Sequence, residues 1–220
     1  MAAVLAGVVL FRASPVSAQA AVPSSRLELS AGVLWIGQQP LGDTTITETT
    51  STGAPRTLFT TSGELAAAPG FAGRVGVRLT RSLVAEAEAS YIKPQLRIAL
   101  GNDVEGAAST TAAETVEQFT IGGGALWYLP GVRTRRVAPF ATAGGGYLRQ
   151  LHEQETFVET GRYVRFGGGA SILLVTGRHW HSKGIGARVE AGAVIRSRGV
   201  RFDGGSTTSP AAGVSAFVRF

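Results

Sequence analysis

The chain contains no cysteine, which excludes disulfide scaffolds, thiolate metal sites and cysteine nucleophiles. Charge is scarce too: 16% of the 220 residues are Asp, Glu, Lys or Arg, against roughly 25% in an average soluble protein. Sustained helical periodicity is missing, and no stretch supplies the ~20 apolar residues that a membrane-spanning helix needs. Any membrane crossing must therefore be made by strands. The formal charge of +6 would suit nucleic acid, but the basic residues are dispersed and often sit beside Glu. The basic stripe or patch that nucleic-acid recognition needs is absent. What the chain has in quantity is Gly, 30 residues of it, with Ala, Val and Leu.

The first 20 residues read as an export signal. MAAVLAGVVLF is a short apolar run, and Ala18-Gln19-Ala20 is a cleavage pattern of small residues. Residues 21–220 are then expected to form one domain.

From Arg26 onward the apolar pattern has period two, the signature of strands with two unlike faces. Eight strands are predicted, over 26–37, 70–80, 82–92, 117–129, 137–149, 163–174, 184–197 and 211–220. In RLELSAGVLWIG, for instance, Leu27, Leu29, Ala31, Val33 and Trp35 share a face. In SLVAEAEASYI, Leu83, Ala85, Ala87, Ala89 and Tyr91 oppose Glu86, Glu88 and Ser90. In VAPFATAGGGYLR the same rule groups Ala138, Phe140, Thr142, Gly144, Gly146 and Leu148. Links after strands two, four and six are short. Those after strands one, three, five and seven tend to be longer and richer in Thr, Ser, Gly and acidic residues, the longest being 41–69, which reads as a mobile surface loop. An even strand count with long links at one end and short turns at the other is the layout of an outer-membrane barrel.

Period two does not say which face is outside. Aromatic residues break the tie, because they fall near strand ends on the apolar face: Trp35, Phe71, Tyr91, Phe119 and Phe166 toward one rim, Trp127, Phe140 and Phe220 toward the other. Two such girdles are expected where rings sit at lipid headgroups. The opposite face mixes small residues with Glu28, Arg74, Arg78, Glu86, Glu88, Arg188 and Glu190. These are nearly balanced in sign, as a buried network must be to offset desolvation, and an eight-stranded barrel is just wide enough for side chains to fill. A soluble lipocalin-like carrier, apolar inside, is the alternative reading of the same periodicity.

The export signal, strands such as VAPFATAGGGYLR and FGGGASILL, and the terminal VRF together resemble the small outer-membrane β-barrel family of OmpA- and OmpX-like proteins. The resemblance covers the mature chain. It implies an all-β, eight-stranded antiparallel up-and-down transmembrane β-barrel, monomeric and in the outer membrane, with a structural, adhesive or surface-interaction role and no cofactor. It also implies that Phe217, Val218 and Phe220 form the signal read by the barrel-assembly machinery, with Ser215 standing where the usual signal has Gly.

Candidate partners follow. Lys93, Arg97, Arg149, Arg162, Arg165, Arg196, Arg198 and Arg201 map to the outer ends of strands, where they would meet lipopolysaccharide phosphates through charge-assisted hydrogen bonds, or be ordinary snorkelling side chains. The link 37–69 is the candidate contact for a surface ligand. A narrow pore and a lipid A-modifying enzyme remain as alternatives. For the enzyme, His179, His181 and Ser182 in GRHWHSKG are the nearest candidates. His181 and Ser182 would point to opposite faces of a strand, and the cluster falls in a short turn, so a solvated turn is expected there. The GGG runs at 122–124, 144–146 and 167–169 lack the Lys and following helix of a phosphate loop; they are expected to give curvature and interior space.

Overall fold

The computed structural model describes residues 26–101, 109–134, 136–152, 158–175, 184–199 and 205–220. The expected export signal, His179, His181, Ser182 and Arg201 lie outside the described residues. Among the described residues there are eleven strands: β1 (Leu27–Ile36), β2 (Gln39–Thr49), β3 (Pro55–Leu65), β4 (Ala68–Arg78), β5 (Leu83–Ile92), β6 (Gln95–Gly101), β7 (Thr110–Tyr128), β8 (Val137–His152), β9 (Val158–Val175), β10 (Gly184–Arg198) and β11 (Ser206–Arg219).

Eight of these close into an antiparallel barrel in the order β1-β4-β5-β7-β8-β9-β10-β11, with β11 returning to β1. They are the eight strands expected from the sequence, and at 10 to 19 residues each they meet the ~9–11 residues that a tilted strand needs to cross a bilayer. The closing seam runs from Glu28 opposite Arg219 to Ile36 opposite Ala211, so the last strand leaves no free edge against the first.

The stretch 41–69 departs from the expected loop. Most of it is the hairpin β2–β3, which pairs onward to β6 and then to the first six residues of β7, forming a second sheet beyond the barrel rim. Thr-rich sequence reads as a polar loop when composition is weighed, but Thr is β-branched and suits a pleated surface. The hairpin tip is fixed locally. Thr50 accepts from Gly53 N at 2.8 Å through its carbonyl and exchanges hydrogen bonds with Ala54, while Gly53 takes φ +81°, the left-handed region that costs Gly nothing. The sheet leans back over the barrel mouth: Thr207 of β11 donates to the Pro40 carbonyl of β2 at 3.2 Å.

The barrel turns its apolar side chains outward. Leu29, Val33, Val75, Val77, Ile121, Val164, Val189 and Val214 are all exposed, while Glu28, Arg74, Glu86, Glu88 and Arg188 are buried. A carrier with an oily interior is therefore not this fold. One strand was assigned the wrong face. On β8, Ala138, Phe140 and Leu148 point inward, and Val137 and Tyr147 point out. Both faces of that strand are small or apolar, so alternation alone does not distinguish them; pairing does. Phe140 meets Tyr128 edge-on inside the lumen, with ring centroids 6.2 Å apart.

Glycine sets the interior geometry where β7 faces β8. Gly122 lies opposite Gly146 and Gly124 opposite Gly144. A Cβ added at Gly122 would come within 2.5 Å of the Gly145 carbonyl oxygen and of the Tyr163 hydroxyl. Replacing Gly122 with Val should therefore destabilise the barrel by about 1–3 kcal/mol through overpacking, read as a lower urea midpoint of the heat-modifiable gel band. An unchanged midpoint would show that this wall has slack.

Candidate functional site: the barrel lumen

Inward positions alternate along each strand, so the lumen collects one residue in two from all eight. At its centre lies an ion-pair lattice. Arg188 donates to Glu86 at 2.8 Å and to Glu28. Glu28 also accepts from Arg219 Nε at 2.6 Å, and Arg219 reaches on to the Tyr128 hydroxyl at 2.9 Å. Next along the axis, Arg74 bridges Glu88 and Glu190, and Glu88 accepts a second guanidinium from Arg165. Four carboxylates thus meet four arginines drawn from β1, β4, β5, β9, β10 and β11.

All seven charged residues expected in the interior are there, in two arrangements. Six belong to the lattice. The seventh, Arg78, sits half-buried at the short-turn end and stacks over the Tyr128 ring at 5.3 Å. Sequence reasoning missed Arg219 and misplaced Arg165. Arg165 was assigned to the outer rim, but its side chain turns into the lumen to Glu88. Arg196 was assigned there too, yet it is 3% exposed and donates to Gln39 at 2.5 Å and Gln118 at 3.1 Å. The signal that would have found both is parity: Arg165 shares its face with Tyr163 and Ser171, and Arg196 with Arg188.

Apolar layers bound the lattice at each end. At the short-turn end, Val84, Leu126, Tyr128, Ala138 and Phe140 pack together; at the other, Leu41, Leu65, Leu96 and Val116 do so under the second sheet. Between the lattice and that upper layer runs a band of amides, where Gln150 donates to Gln118 at 3.3 Å and Gln118 accepts from Arg196.

On the outside, Trp35, Phe71, Phe119, Phe166, Trp127 and Phe220 are exposed, as the girdle reading requires of them. Tyr91 stacks on Phe119 with centroids 4.7 Å apart. Phe166 lies opposite Ala143 and Ala193 at mid-strand, inside the aliphatic belt. Phe140, expected in the lower girdle, is instead one of the most buried rings, 2% exposed. Tyr147, 65% exposed, is an outward ring that sequence reasoning did not name. Of the terminal residues, Phe217 is buried in the lumen under Arg219 at 4.4 Å, whereas Phe220 faces out. Lys93, Arg97, Arg149, Arg162 and Arg198 are exposed at the end that carries the second sheet. Lys93 pairs with Glu117 at 2.7 Å, and its ammonium pKa is raised, first by the hydrogen bond to that carboxylate and then by the one to Tyr91.

Removing one member of the lattice strands its partners in low dielectric. Arg188→Ala, which leaves Glu86 without its cation and Glu28 with Arg219 alone, should cost about 3–5 kcal/mol of unfolding free energy, measured by urea titration in micelles. Lys93→Ala, at an exposed pair, should leave the midpoint unchanged. Equal effects from the two variants would mean that the lattice is solvated.

No family model matches the sequence, and no curated protein matches it significantly. Solved structures similar to this chain include Neisserial surface protein A, 14% identical, covering 88% of this chain and 97% of that one with a TM-score of 0.49. OprG from Pseudomonas aeruginosa is 8% identical, with 89% and 96% covered and a TM-score of 0.44. Ail, the attachment invasion locus protein of Yersinia pestis, in complex with the heparin analogue sucrose octasulfate, is 10% identical, with 89% and 99% covered and a TM-score of 0.42. The geometry stands without them: a closed eight-stranded antiparallel barrel, charged within and apolar without, is the architecture of the small outer-membrane β-barrels.

Proposed function

We propose that this protein resides in an outer membrane as a monomeric barrel with a structural or surface-interaction role, and that it is neither a pore nor an enzyme. One observation carries the reading. The apolar belt faces out while the lumen is obstructed in successive layers by Tyr128 and Phe140, the ion-pair lattice, the amide band and the Leu41 cluster. Such a cylinder suits a scaffold that holds something at the surface, and the β2–β3–β6 sheet is what it holds there. Phe220, exposed next to the closing seam, supports recognition of β11 by assembly machinery.

The expected outcome is membrane fractionation with a gel band that shifts on boiling, together with silence in planar bilayers. Recovery in the soluble fraction would sink the membrane reading, and stable ion steps would replace the scaffold with a channel.

Lipopolysaccharide contact at the second-sheet end is part of the same proposal, resting on Lys93, Arg97, Arg149, Arg162 and Arg198 as exposed cations, with Lys93 over the Tyr91 ring, Arg149 opposite Phe119 and Arg162 opposite Tyr147. Replacing Lys93, Arg149 and Arg162 together with Gln should reduce lipopolysaccharide co-purification several-fold. Unchanged lipid content would leave these residues as ordinary surface cations.

A further inference from the structure

Arg196 differs from every arginine of the lattice. It is buried to 3% exposure, yet both of its hydrogen bonds leave from Nη1 and end on neutral amide oxygens, Gln39 Oε1 and Gln118 Oε1. Among the described residues no carboxylate lies within ion-pair distance of it. A guanidinium removed from water without a counter-charge is costly, and the donors left over, Nε and Nη2, form the edge that a carboxylate grips in bidentate fashion.

This arginine borders a cavity of about 80 Å³ within the upper lumen. A water needs only about 10–15 Å³ on that measure, so a molecule of several heavy atoms fits. Part of the wall is aliphatic: Leu34, Ile36, Ile92 and Val194 line the same cavity. Glu88 and Glu190 also border the space, but Arg74 and Arg165 already neutralise them. The site therefore offers one uncommitted positive charge at one end and hydrocarbon beside it.

We propose that the upper lumen binds a small organic carboxylate, its head on Arg196 and its short alkyl body against Leu34, Ile36, Ile92 and Val194. An inorganic anion would waste the aliphatic wall, and a neutral alcohol would leave the guanidinium uncompensated.

The test uses the full chain refolded in micelles, with butyrate as the probe and protein-detected NMR as the readout. Butyrate should saturably shift the Arg196 Nε–Hε resonance and the Ile92 and Val194 methyls. Affinity should fall at least tenfold in Arg196→Gln and stay unchanged in Arg56→Gln, which alters an exposed arginine of β3. Butanol and inorganic phosphate should each bind at least tenfold more weakly than butyrate. The proposal is overturned by a flat titration, by equal binding of butanol, by tighter binding of phosphate, or by an Arg196→Gln affinity equal to wild type. Should Arg196→Gln fail to fold, the wild-type Arg196 resonance decides alone: saturation with butyrate supports the site, and no response removes it.

Discussion

Every backbone N–H and C=O that faces hydrocarbon must find its partner within the protein, since lipid offers none. In this chain that constraint is met by the seam between β1 and β11, nine residues long and in unbroken register from Glu28–Arg219 to Ile36–Ala211. Without it, two strand edges would be exposed along the apolar belt. The seam also does something for the interior. It brings Glu28, from one end of the sequence, beside Arg219, from the other, and so anchors the lattice across the point of closure. Backbone pairing and lumen electrostatics are completed by the same two strands.

A lumen filled with charge needs room, and small residues provide it. Arginine and glutamate reach across the axis because their opposite numbers on β7, β8, β9 and β10 are Gly122, Gly124, Gly144, Gly146, Gly167, Gly169 and Gly192. The energetic gain of a buried ion pair over an apolar pair of equal volume is small or negative. What the lattice offers is a requirement for correct register: a strand slipped by one residue would place its charges in the belt and its valines in the lumen. The apolar layers above and below then exclude water from the pairs, which strengthens each interaction. Arg196 stands apart from that economy of matched charge, and for that reason it is the position where the interior looks outward for a partner.

The second sheet gives the protein its asymmetry. At one end short turns close the strands; at the other, β7 continues upward as a shared strand, six of its residues pairing with β6 instead of β5. The inward face of this extension keeps the parity of the lumen, so Val116 follows Gln118 and Thr120 upward and meets Leu41, Leu65 and Leu96. A surface feature is thereby built on the barrel wall itself, with its own small core, and it caps the opening from which it rises.

Much of this is legible in the sequence. Strict alternation marks the eight barrel strands, their up-and-down order and, on seven of them, the residues that share a face, because period two is imposed by the backbone whatever the neighbours are. Glu28, Arg74, Glu86, Glu88, Arg188 and Glu190 share the face opposite the outward rings for that reason, and the aromatic girdles put that face inside. Three things required the tertiary structure. The face of β8 did, since neither of its faces is clearly polar and only pairing to β7 and packing on Tyr128 turned Phe140 inward. The depth of Arg165 and Arg196 did: parity turns both inward, but strand ends in a sequence do not reveal how far the barrel wall rises above them. And the hairpin β2–β3 did, because Thr-rich segments become strands only when a neighbouring edge, here β6 extending from β7, offers them hydrogen bonds. Sequence settled what repeats locally along one strand; contact between strands far apart in the chain settled everything else.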